Sequence, residues 1–281
     1  MDKTDSEKLS LKDQLLGIQI TNYQIPASAS AFEMALAMME RIGDPDPVLR
    51  DELIYSTLRH WILQGVFVAG QLRQMLSACL DDQHLFYRVG EEQTDSVFTR
   101  SFSVLMIPLI MHADRQAPFL DESDIQMASR KLLSYLRQEM DLRGYTGDTG
   151  WAHAVAHAAD AVEDVVQSKF IQREELAGFL EAFQALLIQT RYAFIHEEDE
   201  RMVTAFVAIL NRNLLLEEDI SRWILELGDM PREGRTSEDF VLIMNVKNFL
   251  RSLYFRILPD ERHNPYTETI RQALNGRLFH D

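Results

Sequence analysis

Apolar residues recur along this chain at helical spacing and almost nowhere at strand spacing, and that periodicity limits the fold more than any other property. Leu176, Phe179, Leu180, Phe183, Leu186 and Leu187 follow the i, i+3, i+4, i+7 rule, and Val203, Phe206, Val207, Leu210 and Leu214 repeat it. No segment alternates apolar and polar residues convincingly as a strand. The pattern predicts an all-α fold with about a dozen helices over residues 7–21, 28–42, 47–64, 68–81, 95–113, 121–141, 149–167, 172–192, 198–212, 217–228, 236–257 and 266–276.

Local chemistry supports these limits. Pro45 and Pro47 forbid a continuous helix through Gly43–Pro47 and suit the first turn of the next one. Asp121–Asp124 and Thr236–Asp239 place acids where they favour the positive end of a helix dipole. Pro108 removes one backbone donor inside an apolar run, so a kink is expected near Met106. A dozen helices cannot share one central core. The expected architecture is therefore an irregular, HEAT-like, right-handed α-solenoid of antiparallel helix pairs. Residues 1–30 are expected to form a loosely attached leading helix, and residues 31–281 a single repeat-like domain.

With 46% hydrophobic residues in 281, the chain can bury a substantial core. A single cysteine, Cys79, cannot form an internal disulfide and sits in the apolar pattern of Leu72, Met75, Leu76 and Leu80, which fits a reducing cytoplasm. The first residues carry acids and no apolar stretch of the secretory kind. The longest apolar run, Val104–Met111, falls well short of the roughly 20 residues that span a bilayer. A net charge of −16, from 44 acids and 28 bases, opposes broad binding to nucleic acid or anionic lipid. A protein segment or a small polar ligand is the expected partner.

The segment Arg143-Gly-Tyr-Thr-Gly-Asp-Thr-Gly-Trp-Ala-His-Ala-Val-Ala-His-Ala-Ala-Asp160 carries the most chemistry. If the helix begins near residue 149, then His153, His157, Asp160 and Asp164 share a sector of roughly 60°, with Trp151, Val155, Ala158, Val162 and Val166 on the buried side. The histidines are then expected on an exposed or cleft-lining surface, where the neighbouring alanines let another helix or a ligand approach closely. Three readings stay open. The face is a solvated one with helical His–Asp pairs, a divalent-metal site using His153, His157 and Asp160, or a metal-free recognition pocket. The spacing His153-Ala-Val-Ala-His157 has the outer frame of H-E-x-x-H, but alanine replaces the general-base glutamate, so a metalloprotease is not supported.

In the glycine-punctuated turn, Gly144, Gly147 and Gly150 can expose backbone N–H groups and Arg143 can clamp an anion, yet Asp148 or Thr149 is a natural helix cap that consumes the same donors. The acids of His196–Arg201 suit a helix start, which is the leading reading; the alternative, left open by the sequence, is that Glu198, Asp199 or Arg201 faces the His153 helix across adjacent layers.

Taken together, Asp51–Tyr55, Val97–Val104, Asp141–Tyr145, Gly150–Asp160 and Glu198–Arg201 resemble a bacterial all-α family catalogued as domain of unknown function 2785, over roughly residues 47–257. The resemblance implies a cytoplasmic helical protein and transfers no catalytic residue. Its matching polar or aromatic positions are Arg143, Tyr145, Trp151, His153, His157, Asp160, Glu198, Asp199 and Arg201. The sequence thus favours a non-enzymatic binding or scaffold module with a polar pocket around the His153, His157 and Asp160 face. A metal-dependent hydrolase built on those three residues is the alternative.

Overall fold

A computed structural model describes residues 10–232, 234 and 236–280. Among them are twelve α-helices: α1 (Leu11–Ile20), α2 (Ala31–Met39), α3 (Ser56–Leu63), α4 (Ala69–Cys79), α5 (Ser96–Gln116), α6 (Glu122–Gln138), α7 (Ala154–Val166), α8 (Arg173–Leu187), α9 (Glu198–Asn211), α10 (Glu217–Gly228), α11 (Ser237–Ile257) and α12 (Asn264–Leu274). A π-helical segment, Val48–Tyr55, leads directly into α3. The one extended pairing among the described residues is an isolated antiparallel bridge between Tyr145 and Trp151.

The helices stack in order. α3 packs on α5, α5 on α7, α7 on α9, and α9 on α11, while α6 lies against α7 and α8, and α8 against α9 and α11. A connected hydrophobic core runs from Leu15 to Leu278. Within it α1 buries Leu15 and Ile18 and packs on the π-helical segment and α3. The buried Cys79, Met38, Met39 and Met75 sit in this core as small or adaptable fillers. Helix α5 is long and apolar enough to cross a membrane by composition, but most of it is buried inside the fold.

Several helix ends follow the expected capping chemistry. Asp121 accepts from the N–H groups of Ser123 and Asp124, and Thr236 accepts from that of Asp239. Helix α5 continues through Pro108. Other ends differ from expectation. The helix expected over 121–141 stops at Gln138, because Glu139 turns extended and its Oε1 accepts from the N–H groups of Met140 and Asp141, each at 2.9 Å. The helix expected to reach residue 192 stops at Leu187, where Gln189 Oε1 accepts from the N–H groups of Arg191 and Tyr192 and closes a turn.

That break after α6 rests on a buried ion pair. Arg100 of α5 donates from Nε and Nη2 to the two carboxylate oxygens of Glu139, at 2.6 and 2.8 Å, and from Nη1 to Ser96 Oγ at 2.8 Å and the Tyr87 carbonyl at 3.0 Å. Both side chains are almost fully removed from water. Desolvation of the two charges is costly, so the pair stabilises the fold only while every donor and acceptor is matched. Arg100→Met is expected to cost about 3–5 kcal/mol in urea unfolding, and adding Glu139→Gln should restore at least half of that loss by neutralising the orphaned carboxylate. A single substitution that costs under about 1 kcal/mol would show that the pair does not hold this junction.

Candidate functional site

Residues 143–153 form a short hairpin rather than a helix start. The N–H of Ala152 donates to the Gly144 carbonyl at 2.8 Å, that of His153 to the Arg143 carbonyl at 3.1 Å, and that of Thr146 to the Gly150 carbonyl at 2.8 Å. Gly150 takes φ +78, and the hairpin tip is a single 3-10 turn, Gly147–Thr149. The helix expected from residue 149 therefore begins at Ala154, and its N-cap is His153 in the left-handed conformation, φ 50. Neither Asp148 nor Thr149 caps it. Once the backbone of 151–153 is committed to the hairpin, it is no longer free to enter the helix.

This correction rearranges the predicted face. Trp151 and His153 lie outside α7, so the wheel that grouped them with it does not apply to them. Trp151, expected on the buried side, is 39% exposed, whereas Val155, Ala158, Val162 and Val166 are buried as expected. His157, expected on an exposed or cleft-lining surface, is buried against α5: its Nδ1–H donates to the Ser101 carbonyl at 3.2 Å and its ring stands edge-to-face on Phe102 at 5.3 Å. Asp160 and Asp164 do share a rim, but each is taken by an arginine. Arg201 Nη1 reaches both Asp160 oxygens at 2.9 and 2.8 Å, and Arg115 of α5 pairs with Asp164.

The hairpin is held from below by a charge buried to 0% exposure. Arg50, from the π-helical segment, donates to the carbonyls of Thr149 and Asp44, each at 2.8 Å, and its guanidinium lies over the Phe98 ring at 4.1 Å. Val97 and Phe98 of α5 close a small apolar cluster with Ala152 and Ala154. Arg143 does not point outward as an anion clamp. It binds Asp141 through Nε and Nη2 at 2.8 and 2.6 Å and the Thr94 carbonyl at 2.9 Å.

A second loop, 189–197, closes on the hairpin. Buried Asn245 of α11 accepts from the Phe194 N–H at 2.8 Å and donates to the Tyr192 carbonyl at 3.0 Å, and the Tyr192 hydroxyl accepts from the Gly144 N–H at 2.8 Å. Gly144 is required by this contact, since a Cβ there would stand 2.4 Å from His196 Nδ1 and 2.7 Å from Glu198 Oε1.

The outcome is a cluster of rings. Trp151 stacks on His153 at 4.3 Å and meets Tyr145 at 4.8 Å and His196 at 5.4 Å. Beneath it Glu198 is 1% exposed; its Oε2 accepts from the His196 N–H at 2.8 Å. Its Oε1 has no hydrogen bond, the ring Nδ1 of His196 standing 3.9 Å away, and His153 Nε2 has none either. Glu198 thus belongs to the site, whereas Asp199 turns away to accept from Ser252 of α11 at 3.2 Å. Sequence reading missed Arg50, His196 and Asn245. The available signals were an arginine and an asparagine at otherwise apolar helical positions and a histidine directly before an acidic helix start.

Burial lowers the pKa of His153 to about 4 and that of His157 to about 3, so both rings are neutral near pH 7. For Glu198 burial pushes the carboxyl above its ordinary range. The three residues of the predicted metal set are not gathered on one point: Arg201 engages both oxygens of Asp160, and no three His, Cys, Asp or Glu among the described residues are grouped to hold an ion.

The sign of the pH effect follows from the lowered His157 value. Above pH ~6.5 the ring is neutral folded and unfolded, and its contribution to stability is fully present. As pH falls from ~6.5 towards about 3, only the unfolded chain gains the proton, and stability drops by up to about 1.4 kcal/mol per pH unit. His157→Asn, which can still donate to Ser101, should flatten the acid limb of a pH series of urea denaturations between pH 6 and 4 by about that slope. Identical limbs in the two proteins would mean that His157 takes up protons in the fold.

The matched family model, described as protein of unknown function (DUF2785), covers residues 85–255. This range holds α5 to most of α11, the whole hairpin and the Glu198 loop, and it leaves out the Asp51–Tyr55 segment that entered the sequence resemblance. No curated protein and no solved structure matches the chain. With well over half of its length inside the match, the chain belongs to this family of unknown function.

Proposed function

We propose that the protein is a cytoplasmic, non-enzymatic binding module whose ligand, a protein segment or a small polar molecule, docks on the hairpin and inserts a hydrogen-bond donor between His153 and Glu198. The observation that carries this reading is the pair of buried polar atoms, His153 Nε2 and Glu198 Oε1, neither of which has a hydrogen bond; His196 Nδ1 comes no closer than 3.9 Å to the latter. A buried acceptor without a donor costs about 1–3 kcal/mol. Burial keeps the His153 ring neutral, and with its proton on Nδ1 the Nε2 is an acceptor. Two acceptors ask for an amine, amide or guanidinium N–H. Exposed Tyr145 and Trp151 supply flat faces for the rest of the ligand, and aromatic side chains of this kind dominate recognition surfaces. The stacking of α3, α5, α7, α9 and α11 supports a HEAT-like solenoid as the carrier, a type of array that presents extended binding surfaces.

A thermal-shift screen with methylguanidinium, lysine amide and short amidated peptides tests the reading. At least one probe class should raise the melting temperature in a saturable way, by the equivalent of about 2.7 kcal/mol at a hundredfold excess over Kd. The shift should vanish in Trp151→Ala and in Glu198→Gln. Shifts that persist in both variants, or a flat response to every donor, would sink it.

A further inference from the structure

A second site lies away from the hairpin, on the outer face of α6. Met127, Arg130, Lys131, Ser134 and Gln138 fall at i, i+3, i+4, i+7 and i+11, so they line one helical face. Opposite them the connection after α4 contributes Phe86 and Val89, and the two walls flank an open groove of about 570 Å³. That volume is within the range that takes a small organic ligand. Its charge is unusual for this chain. The protein carries a net charge of −16 and most of its arginines are paired with carboxylates, yet neither Arg130 nor Lys131 has an acid within ion-pair distance among the described residues. Lys131 instead lies over the Phe86 ring, 4.9 Å from its centre. Asp82 is the one acid on the rim and pairs with neither base, so two cations face one anion.

Arg130 offers a planar fork, Lys131 a mobile ammonium, and Ser134 a hydroxyl whose oxygen already accepts from Gln138 Nε2 at 2.7 Å. These are donors for an oxyanion. Phe86, Val89 and Met127 form an apolar wall beside them, so the anion must carry an apolar body. We infer that this groove binds a small amphiphilic anion, an alkyl or aryl group ended by a carboxylate or a phosphate monoester, with the headgroup on Arg130 and Lys131 and the body along Phe86, Val89 and Met127. The site is independent of the hairpin surface and shares no residue with it.

Isothermal calorimetry on the full chain, with decanoate and decyl phosphate kept below their micelle concentrations, tests this assignment. Decanol and inorganic phosphate serve as controls for body and headgroup. At least one amphiphile should bind saturably, and Arg130→Gln with Lys131→Gln should weaken it at least about tenfold. Higher salt should weaken it further. A tighter fit of decyl phosphate than of decanoate identifies a phosphate headgroup, and the reverse identifies a carboxylate. Val89→Glu should abolish binding while an unchanged circular dichroism spectrum confirms the fold. The assignment falls if neither amphiphile binds, if the double variant binds like wild type, or if decanol or inorganic phosphate alone binds as tightly.

Discussion

The close packing of α7 between its neighbours is the constraint on which the rest of the fold depends. Five of its thirteen residues are alanine, and ten are buried, including His157. So little side-chain bulk lets α5, α6 and α9 all pack directly on it. A helix covered on this many sides has few polar positions available, and Asp160 and Asp164 hold two of them with Arg201 and Arg115 reaching in from α9 and α5. His157 is kept neutral for the same reason: the space around it is filled by Phe102 and the backbone of α5, and a proton there would be an unpaired buried charge.

That packing also explains why the hairpin needs charged supports. The residues before Ala154 leave α7 where it is already enclosed, and their carbonyls require donors that an apolar surface does not supply. Arg50 provides them from the π-helical segment, and its burial between Phe98 and Thr149 is offset by ring contact and hydrogen bonds together. On the other flank, Arg100 and Glu139 fix the break after α6 and hand the chain on through Asp141 and Arg143 to Gly144. The rings of the site thus stand on two buried arginines, both from segments distant in sequence.

The helices were legible in the sequence because amphipathic spacing is local; the limits of α10 match 217–228 and those of α11 lie within a residue of 236–257. The juxtaposition of α9 with α7, which the sequence left open, is settled by contact, as Arg201 meets Asp160. Where reading failed, the cause was a distant contact. The spacing of His153 and His157 is helical whether or not His153 is in the helix, and only the bonds from 152 and 153 back to 143 and 144 remove it. Arg50 and Asn245 resemble surface residues until the partners that bury them, Thr149 and the Tyr192–Phe194 backbone, are known. His196 gains its role from Gly144, more than fifty residues earlier, whose missing side chain admits its ring.

The way this chain treats its other buried polar groups gives the open acceptors their weight. Arg100 has partners for its nitrogens, Asp141 accepts from Gln93 and Arg143, and Asn245 bonds to backbone on both sides. Of the remaining buried atoms without hydrogen bonds, Arg50 Nε and Asp51 Oδ1 face each other at 2.7 Å, and Thr57, Ser129 and Tyr135 leave single hydroxyls in core helices, where the rotor can find a weak local acceptor. His153 Nε2 and Glu198 Oε1 differ in kind. One is a ring nitrogen with fixed direction, on a ring stacked against Trp151, and the other is a carboxylate oxygen whose sister oxygen is already held by the His196 N–H. Against a fold that matches its buried charges this closely elsewhere, these two atoms stand out: neither has a hydrogen bond, and the ring nitrogen Nδ1 of His196 comes only to 3.9 Å of Glu198 Oε1.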